Sequence, residues 1–212
     1  MYRRILIYIL GLLFLAFGVA FSVNSNLGVS PVNSLPYVVS RVSGFDMGKC
    51  VIFIFSMYIV LQMLLLRKEF AWIQLTQLVF STIFGYFVDL AKWVLGTAAL
   101  PGYPGQLVML MVSIILVAVG VCLYMDAGLV NMPMEGLTAA VKKKLFPHKP
   151  FSEVKVFMDC LTVAIGIALS MICLKRLDGI REGTILCAVL VGKLMKPMQR
   201  IIEPQVKKFC RI

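Results

Sequence analysis

The chain has 212 residues, of which 60% are hydrophobic and 15% charged, and it carries a formal charge of +11. Soluble domains hold roughly 45–50% apolar and about 25% charged residues, so this composition excludes an ordinary soluble enzyme or binding module. Without basic–aromatic clusters, the positive charge points to cationic loops facing anionic lipid headgroups at the cytoplasmic face, and nucleic acid is not expected as a partner.

After Arg4 no Asp, Glu, Lys, Arg or His appears until Arg41, none lies between Lys92 and Asp126, and residues 50–66 and 70–88 are uncharged. A hydrocarbon core of about 30 Å takes about 20 helical residues, so runs of this length read as membrane spans. The apolar run Ile5 to Phe21 follows Arg3 and Arg4 and exceeds a signal-peptide core of about 7–15 residues, so it is expected to stay as the first span. Spans are predicted near 5–23, 50–66, 72–91, 107–125, 155–174 and 183–202. They are separated by Asn24 to Gly28, Arg67-Lys68-Glu69, the Gly96–Gly105 linker with Pro101 and Pro104, and Lys175 to Glu182. The sixth is the shortest apolar run, with Lys193 interrupting it.

The chain repeats itself. Moving residues 14–43 by 102 positions aligns Ala16, Gly18, Val19, Leu27, Pro31, Leu35 and Val39 with identical residues at Ala118, Gly120, Val121, Leu129, Pro133, Leu137 and Val141. Asn24 then faces Asp126 and Asn33 faces Glu135; with small gaps, Phe45, Lys49 and Gly85 match Phe151, Lys155 and Gly192. Each half holds three spans and one short element, Pro31–Ser43 or Pro133–Leu145, too short to cross at about 1.5 Å per residue. Proline suits a first helical turn, so each reads as a re-entrant or interfacial half-helix. Three spans per half force opposite orientations. The expected fold is an all-α integral membrane protein with six transmembrane helices in two inverted three-helix repeats, residues 1–95 and 107–212, joined by a linker over 96–106.

Charge sets the orientation. A cytoplasmic N-terminus puts Arg3, Arg4, Arg67, Lys68, Lys142, Lys143, Lys144, Lys149, Lys155, Lys193, Lys196, Arg200, Lys207, Lys208 and Arg211 inside. Arg41, Lys49, Lys92, Lys175, Arg176 and Arg181 fall outside, and fifteen against six obeys the positive-inside rule. Both termini are expected in the cytoplasm and the chain in a bacterial plasma membrane.

Three groups of residues are candidates for chemistry. The two polar breaks, Asn24 to Ser34 and Asp126 to Glu135, each lead into a helix N-terminus, where free amides and the positive dipole end favour anionic groups. Matching broken helices mark the transport site in inverted-repeat transporters, so Asn24, Asn33, Ser34, Asp126, Asn131 and Glu135 are the candidate substrate-binding residues. The alternative is a pair of interfacial loops, with Ser30 and Asn131 serving turns. The second group is the isolated acids: Asp159 and Asp89 stand near Lys155 and Lys92, and simple ion pairs near the interface account for both. The third is Lys193, Lys196 and Arg200 on one face of the last span. Snorkelling explains Lys196 and Arg200, and Lys193, lying deeper, is the candidate to meet an anionic substrate. The only histidine, His148, sits in a basic loop with no nucleophile at motif spacing, and the six cysteines show no paired spacing. No catalytic set, metal site or cofactor is expected.

The Asn24-to-Pro31 break after a first span containing Gly11 and Gly18 resembles the YczE/YyaS/YitT group of bacterial membrane proteins. So does Ile180-Arg181-Glu182-Gly183-Thr184-Ile185-Leu186 running into Leu190-Val191-Gly192, although Lys193 departs from the uncharged pattern. The resemblance implies a multi-pass bacterial plasma-membrane protein and says little about activity. The function read from the residues is a small secondary transporter or exporter of a small anionic or zwitterionic solute. The rival readings are a membrane regulator or assembly partner that transports nothing, and the substrate-capturing subunit of a larger transporter. A homo-oligomer is compatible with all three.

Overall fold

In the computed structural model, which describes residues 2–45, 47–96, 99–175 and 179–210, every long apolar run is helical. In chain order the helices are α1 (Tyr2–Asn24), α2 (Pro31–Ser43), α3 (Met47–Leu66), α4 (Gln77–Leu95), α5 (Gly102–Asp126), α6 (Pro133–Leu145), α7 (Phe151–Leu174) and α8 (Glu182–Cys210). Two 3₁₀ turns, Arg67–Glu69 and Trp72–Thr76, join α3 to α4. Among the described residues there is no strand. Pro31 and Pro133 open the two short helices, and neither start has a side-chain cap.

Among the described residues, five helical stretches are long and apolar enough to cross a membrane: Tyr2–Asn24, Lys49–Glu69, Trp72–Leu95, Gly102–Asp126 and Phe151–Leu174. The sixth predicted span, 183–202, lies within α8, which is long but carries Lys193, Lys196, Arg200 and two internal prolines, Pro197 and Pro204. The expected 96–106 linker is shorter than predicted, because α5 already begins at Gly102. The external cation Arg176 and the terminal Arg211 lie outside the described residues.

The two helices at the centre, α1 and α5, cross on small residues. A Cβ at Gly18 would lie 2.7 Å from Val117 Cγ2 and 3.1 Å from the Ser113 carbonyl oxygen. A Cβ at Gly120 would lie 2.6 Å from Leu15 N and 2.8 Å from the Gly11 carbonyl oxygen. Glycine is what lets the two backbones come this close. Around this pair, α4 packs on α1 and α8 on α5, α2 on α7 and α6 on α3. Helix α8 also packs along α7, whereas α4 barely meets α3.

The bundle has two distinct ends. At one, Arg3 Nη1 donates to the Phe209 carbonyl (3.1 Å), so the N-terminal and C-terminal helices end together. At the other, Asn24 Nδ2 donates to the Gly96 carbonyl (3.1 Å) and Arg181 Nη1 to the Asn26 carbonyl (2.9 Å). Glu69, after α3, pairs with Lys143 (2.7 Å) and with Lys144 at the end of α6.

Candidate functional site

Irregular backbone survives inside an apolar bundle only where its polar groups find partners. The segment after α1 meets this through the approach to α8: Val29 N donates to Gly179 O (3.0 Å), Gly183 N to Leu27 O (2.9 Å) and Thr184 Oγ1 to Val29 O (2.7 Å). The segment after α5 is held from α1. Arg4 donates through Nε to Ala127 O (2.9 Å) and through Nη2 to Gly128 O (2.6 Å), and Tyr8 Oη donates to Val130 O (2.9 Å). Each break thus doubles back from its own end of the bundle, and α2 and α6 start in the interior with their N-termini turned toward one another.

A cavity of about 60 Å³ lies where they meet, lined by Ser30, Pro31 and Asn33 from one break and by Met132, Met134 and Glu135 from the other. Glu135, 4% exposed, sits in the first turn of α6. Its Oε1 is 3.1 Å from Lys155 Nζ, and that ammonium also donates to Asp159 Oδ1 at 2.7 Å. Lys155 and Asp159 are each 2% exposed, and all three line the cavity. An ionised group in such surroundings is expensive unless paired, so Lys155 and the two carboxyl groups beside it lower one another's cost. Two carboxyl groups share one ammonium, so one of them lacks a counter-ion of its own.

Further polar groups face the same space. Ser22 and Ser113, from α1 and α5, line the cavity, and both hydroxyls are buried without a hydrogen-bond partner. Tyr124 stands within electrostatic reach of Glu135, and Tyr58 of Lys155 and Asp159. Buried polar groups are rarely left unpaired, and two such hydroxyls on one cavity wall mark a place for water or a polar ligand. The α6 start is braced from behind: Gln62 Nε2 donates to Pro133 O (3.0 Å) and to Gln77 Oε1 (3.2 Å), while Gln77 Nε2 donates back to Gln62 Oε1 (3.2 Å).

Of the residues singled out in the sequence, Asn33 and Glu135 come together on the cavity wall. Ser34 is fully buried beside them but its hydroxyl is spent on Pro31 O (2.7 Å). Asn24 and Asp126 do not line the cavity. They close opposite ends of the bundle, Asn24 on Gly96 and Asp126 accepting from Gln199 Nε2 at 3.4 Å. Asn131 is half-buried in its break, away from the cavity lining, and the N-cap position of α6 is Met132. Lys193 is exposed on α8, so it does not meet the interior. The Lys155–Asp159 pair forms, but deep in the bundle instead of at the interface, and Lys155 is no surface cation. Asp89 and Lys92 line a second, wider cleft between α3 and α4. Sequence spacing missed Ser22, Ser113 and Gln62; a lone hydroxyl or amide inside an uncharged run was the only available sign.

Apolar helices of spanning length around an interior ionic site define a multi-pass membrane protein. The chain belongs to the family DUF6198, described as a family of unknown function, whose model matches residues 2–200. It is 27% identical over 190 residues to the "uncharacterized membrane protein YczE" of Bacillus subtilis (strain 168), covering 89% of this chain and 82% of that one. It is 26% identical over 197 residues to the "uncharacterized protein YyaS" of the same organism, covering 92% of each. The resemblance carried by the Asn24–Pro31 break and the Ile180–Gly192 segment thus extends along most of the chain. No solved structure matches it.

Proposed function

We propose that the protein is a small secondary transporter whose solute site is the cavity between the α2 and α6 N-termini, and that a proton taken up by the triad is coupled to movement of the solute. The observation that carries this reading is the buried Glu135–Lys155–Asp159 triad on that cavity. Intramembrane ionisable groups that face a cavity are the usual parts of proton and substrate pathways. The triad's excess carboxylate suits a cationic group or a proton, while the uncapped helix starts suit a carboxylate or phosphate. A zwitterion satisfies both.

The reading includes two inverted repeats spanning a plasma membrane six times, with α8 as the sixth crossing and both termini in the cytoplasm. Support comes from the α1–α5 crossing. Gly18 rests on Ser113 and Val117; their repeat partners, Gly11 and Leu15, are what Gly120, the partner of Gly18, rests on. Such reciprocal contact is the mark of a two-fold axis. The packing of α2 on α7 and of α6 on α3 obeys the same exchange. Arg3, Arg4, Lys143 and Lys144 then belong to the cytoplasmic end.

The test is purified protein in proteoliposomes with an entrapped pH dye. Small zwitterions, anions and cations are added in turn, and a solute-dependent proton flux that Glu135→Gln removes is the expected result. A protein that moves neither proton nor solute across that panel, yet keeps its fold, overturns the reading in favour of a non-transporting membrane partner.

A further inference from the structure

The inner cavity is small. At about 60 Å³ it holds on the order of four waters, at roughly 15 Å³ each, whereas sites for whole small molecules run to roughly 300–1,000 Å³. A solute engaging the triad must therefore keep most of its volume elsewhere. The adjoining space is a cleft of about 570 Å³ between α3 and α4. Val19, Ser30, Asn33, Phe55 and Phe84 line both spaces, so the two lie side by side with only these side chains between them.

The cleft opens sideways. Only 6% of the α4 spanning window is buried, and Tyr86 and Trp93 are 71% and 81% exposed. Gly85, on the cleft wall, has nothing within 4 Å of where a Cβ would stand. With α4 crossing a bilayer, as the reading above has it, the outward side of this helix meets lipid. The walls of the cleft are mainly aliphatic and aromatic, with Asp89 and Lys92 toward the end of α4. A hydrated ion would give up its water along such walls for nothing in return, while an alkyl chain would bury itself there favourably.

Resting on the transport reading above, we propose that the solute is a single-chain amphiphile with a compact zwitterionic head, which enters laterally from the bilayer. The head's cationic group meets Glu135, its acidic group meets the first-turn amides of α2 and α6, and the chain lies between α3 and α4. Charge complementarity argues for the head, and the shared wall and the volume of the cleft argue for the chain.

The test uses the full-length protein in lipid nanodiscs with a single-chain phosphocholine carrying a diazirine in its tail. After irradiation, adducts are mapped by mass spectrometry. Expected are adducts concentrated on 51–55 and 78–85, lost in Gly85→Trp, which fills open space without disturbing a packed neighbour. Protection of Glu135 from dicyclohexylcarbodiimide by the same amphiphile is expected alongside. Adducts spread evenly over outward residues such as Leu64 and Ile172, and unchanged in Gly85→Trp, overturn the inference. Glycerophosphocholine, the same head without a chain, separates the two readings. If it protects Glu135 while the chained probe stays out of the cleft, lateral entry fails and the transport reading stands. If neither protects Glu135, both fail.

Discussion

Gly192 and Gly85, matched when the two halves of the sequence are aligned, stand in opposite surroundings. A Cβ on Gly192 would collide with Val156 and stand 2.9 Å from the Ser152 carbonyl oxygen, whereas one on Gly85 would meet nothing within 4 Å. The second half is closed along α7 and α8 and the first is open along α3 and α4, although the other repeat-related pairs pack alike. Under the inverted-repeat reading, this asymmetry is one of two interchangeable states, and the other has α4 closed on α3 and α8 lifted from α7.

Leucine at these positions separates the two. Gly192→Leu overpacks a tight seam and is expected to cost about 1–3 kcal/mol, read as a lowered melting temperature in detergent. Gly85→Leu is expected to leave the melting temperature unchanged but to prevent closure. On a cysteine-free background, Ser152→Cys should react with a methanethiosulfonate reagent only while α8 is lifted, and adding Gly85→Leu should abolish that reaction. Equal reactivity at position 152 with glycine or leucine at position 85 argues against exchange between states.

Lys155 is the counter-ion of two buried carboxylates. Lys155→Met strands both and is expected to lower stability by about 3–5 kcal/mol, the usual cost of breaking a buried ion pair on one side. Neutralising the whole triad, with Lys155→Met, Glu135→Gln and Asp159→Asn together, should recover most of the loss. Thermal unfolding followed by circular dichroism checks both variants. An unaltered midpoint in the single variant would mean that the three side chains do not depend on each other.

Gly136 faces the Gln62–Gln77 pair. A Cβ there would lie 2.7 Å from Gln62 Oε1 and 2.9 Å from Gln77 Nε2. Gly136→Ala must push the amides apart and loosen the hold on Pro133 O. The expected loss is about 1–3 kcal/mol, because buried amides left without partners carry their full desolvation cost. Gly44→Ala is a control at a glycine with nothing near its Cβ position, although its φ of 74° adds a strain of its own. Hydrogen exchange at the start of α6 should quicken in Gly136→Ala and not in the control.

The helices were legible because lipid imposes a length and a composition on them, and the two breaks because Pro31 and Pro133 fall at aligned positions, each with a glycine, Gly28 or Gly128, a few residues before it. Asn33 and Glu135 lie near the interior starts of α2 and α6, and that shared place is why both line the cavity. Asn24 and Asp126 misled for a physical reason. They cap the outer ends of α1 and α5, and antiparallel crossing carries those ends to opposite faces. Lys155 was hidden because a lysine one turn from an aspartate near a helix start looks like an interfacial pair. Only the packing of α6 against α7, which brings Glu135 in from the preceding helix, turns that pair into a buried triad. Lys193 looked deep by its place in the sequence. The burial of its neighbours Val191, Gly192 and Met195 leaves it on the outward side of α8.

Glu135→Gln is the sharpest test of what the triad does. Glutamine has nearly the same shape, keeps a carbonyl oxygen for Lys155 at 3.1 Å, and cannot take up a proton at neutral pH. A carboxylate that merely complements the α6 dipole contributes about 0.3–1 kcal/mol, so in that case the variant would fold and act almost as before. A carboxylate that receives a proton with each cycle cannot be replaced in this way. The expected outcome is a folded variant, stable because Lys155 still pairs with Asp159 at 2.7 Å, in which solute still protects the cavity from carbodiimide attack at Asp159. Solute-driven proton movement in proteoliposomes is lost. Asp159→Asn provides the contrast: Lys155 then leans on Glu135 alone, and proton movement should persist at a reduced rate. If instead Asp159→Asn abolishes the flux and Glu135→Gln leaves it intact, the proton belongs to Asp159, and Glu135 serves only to hold Lys155 in place.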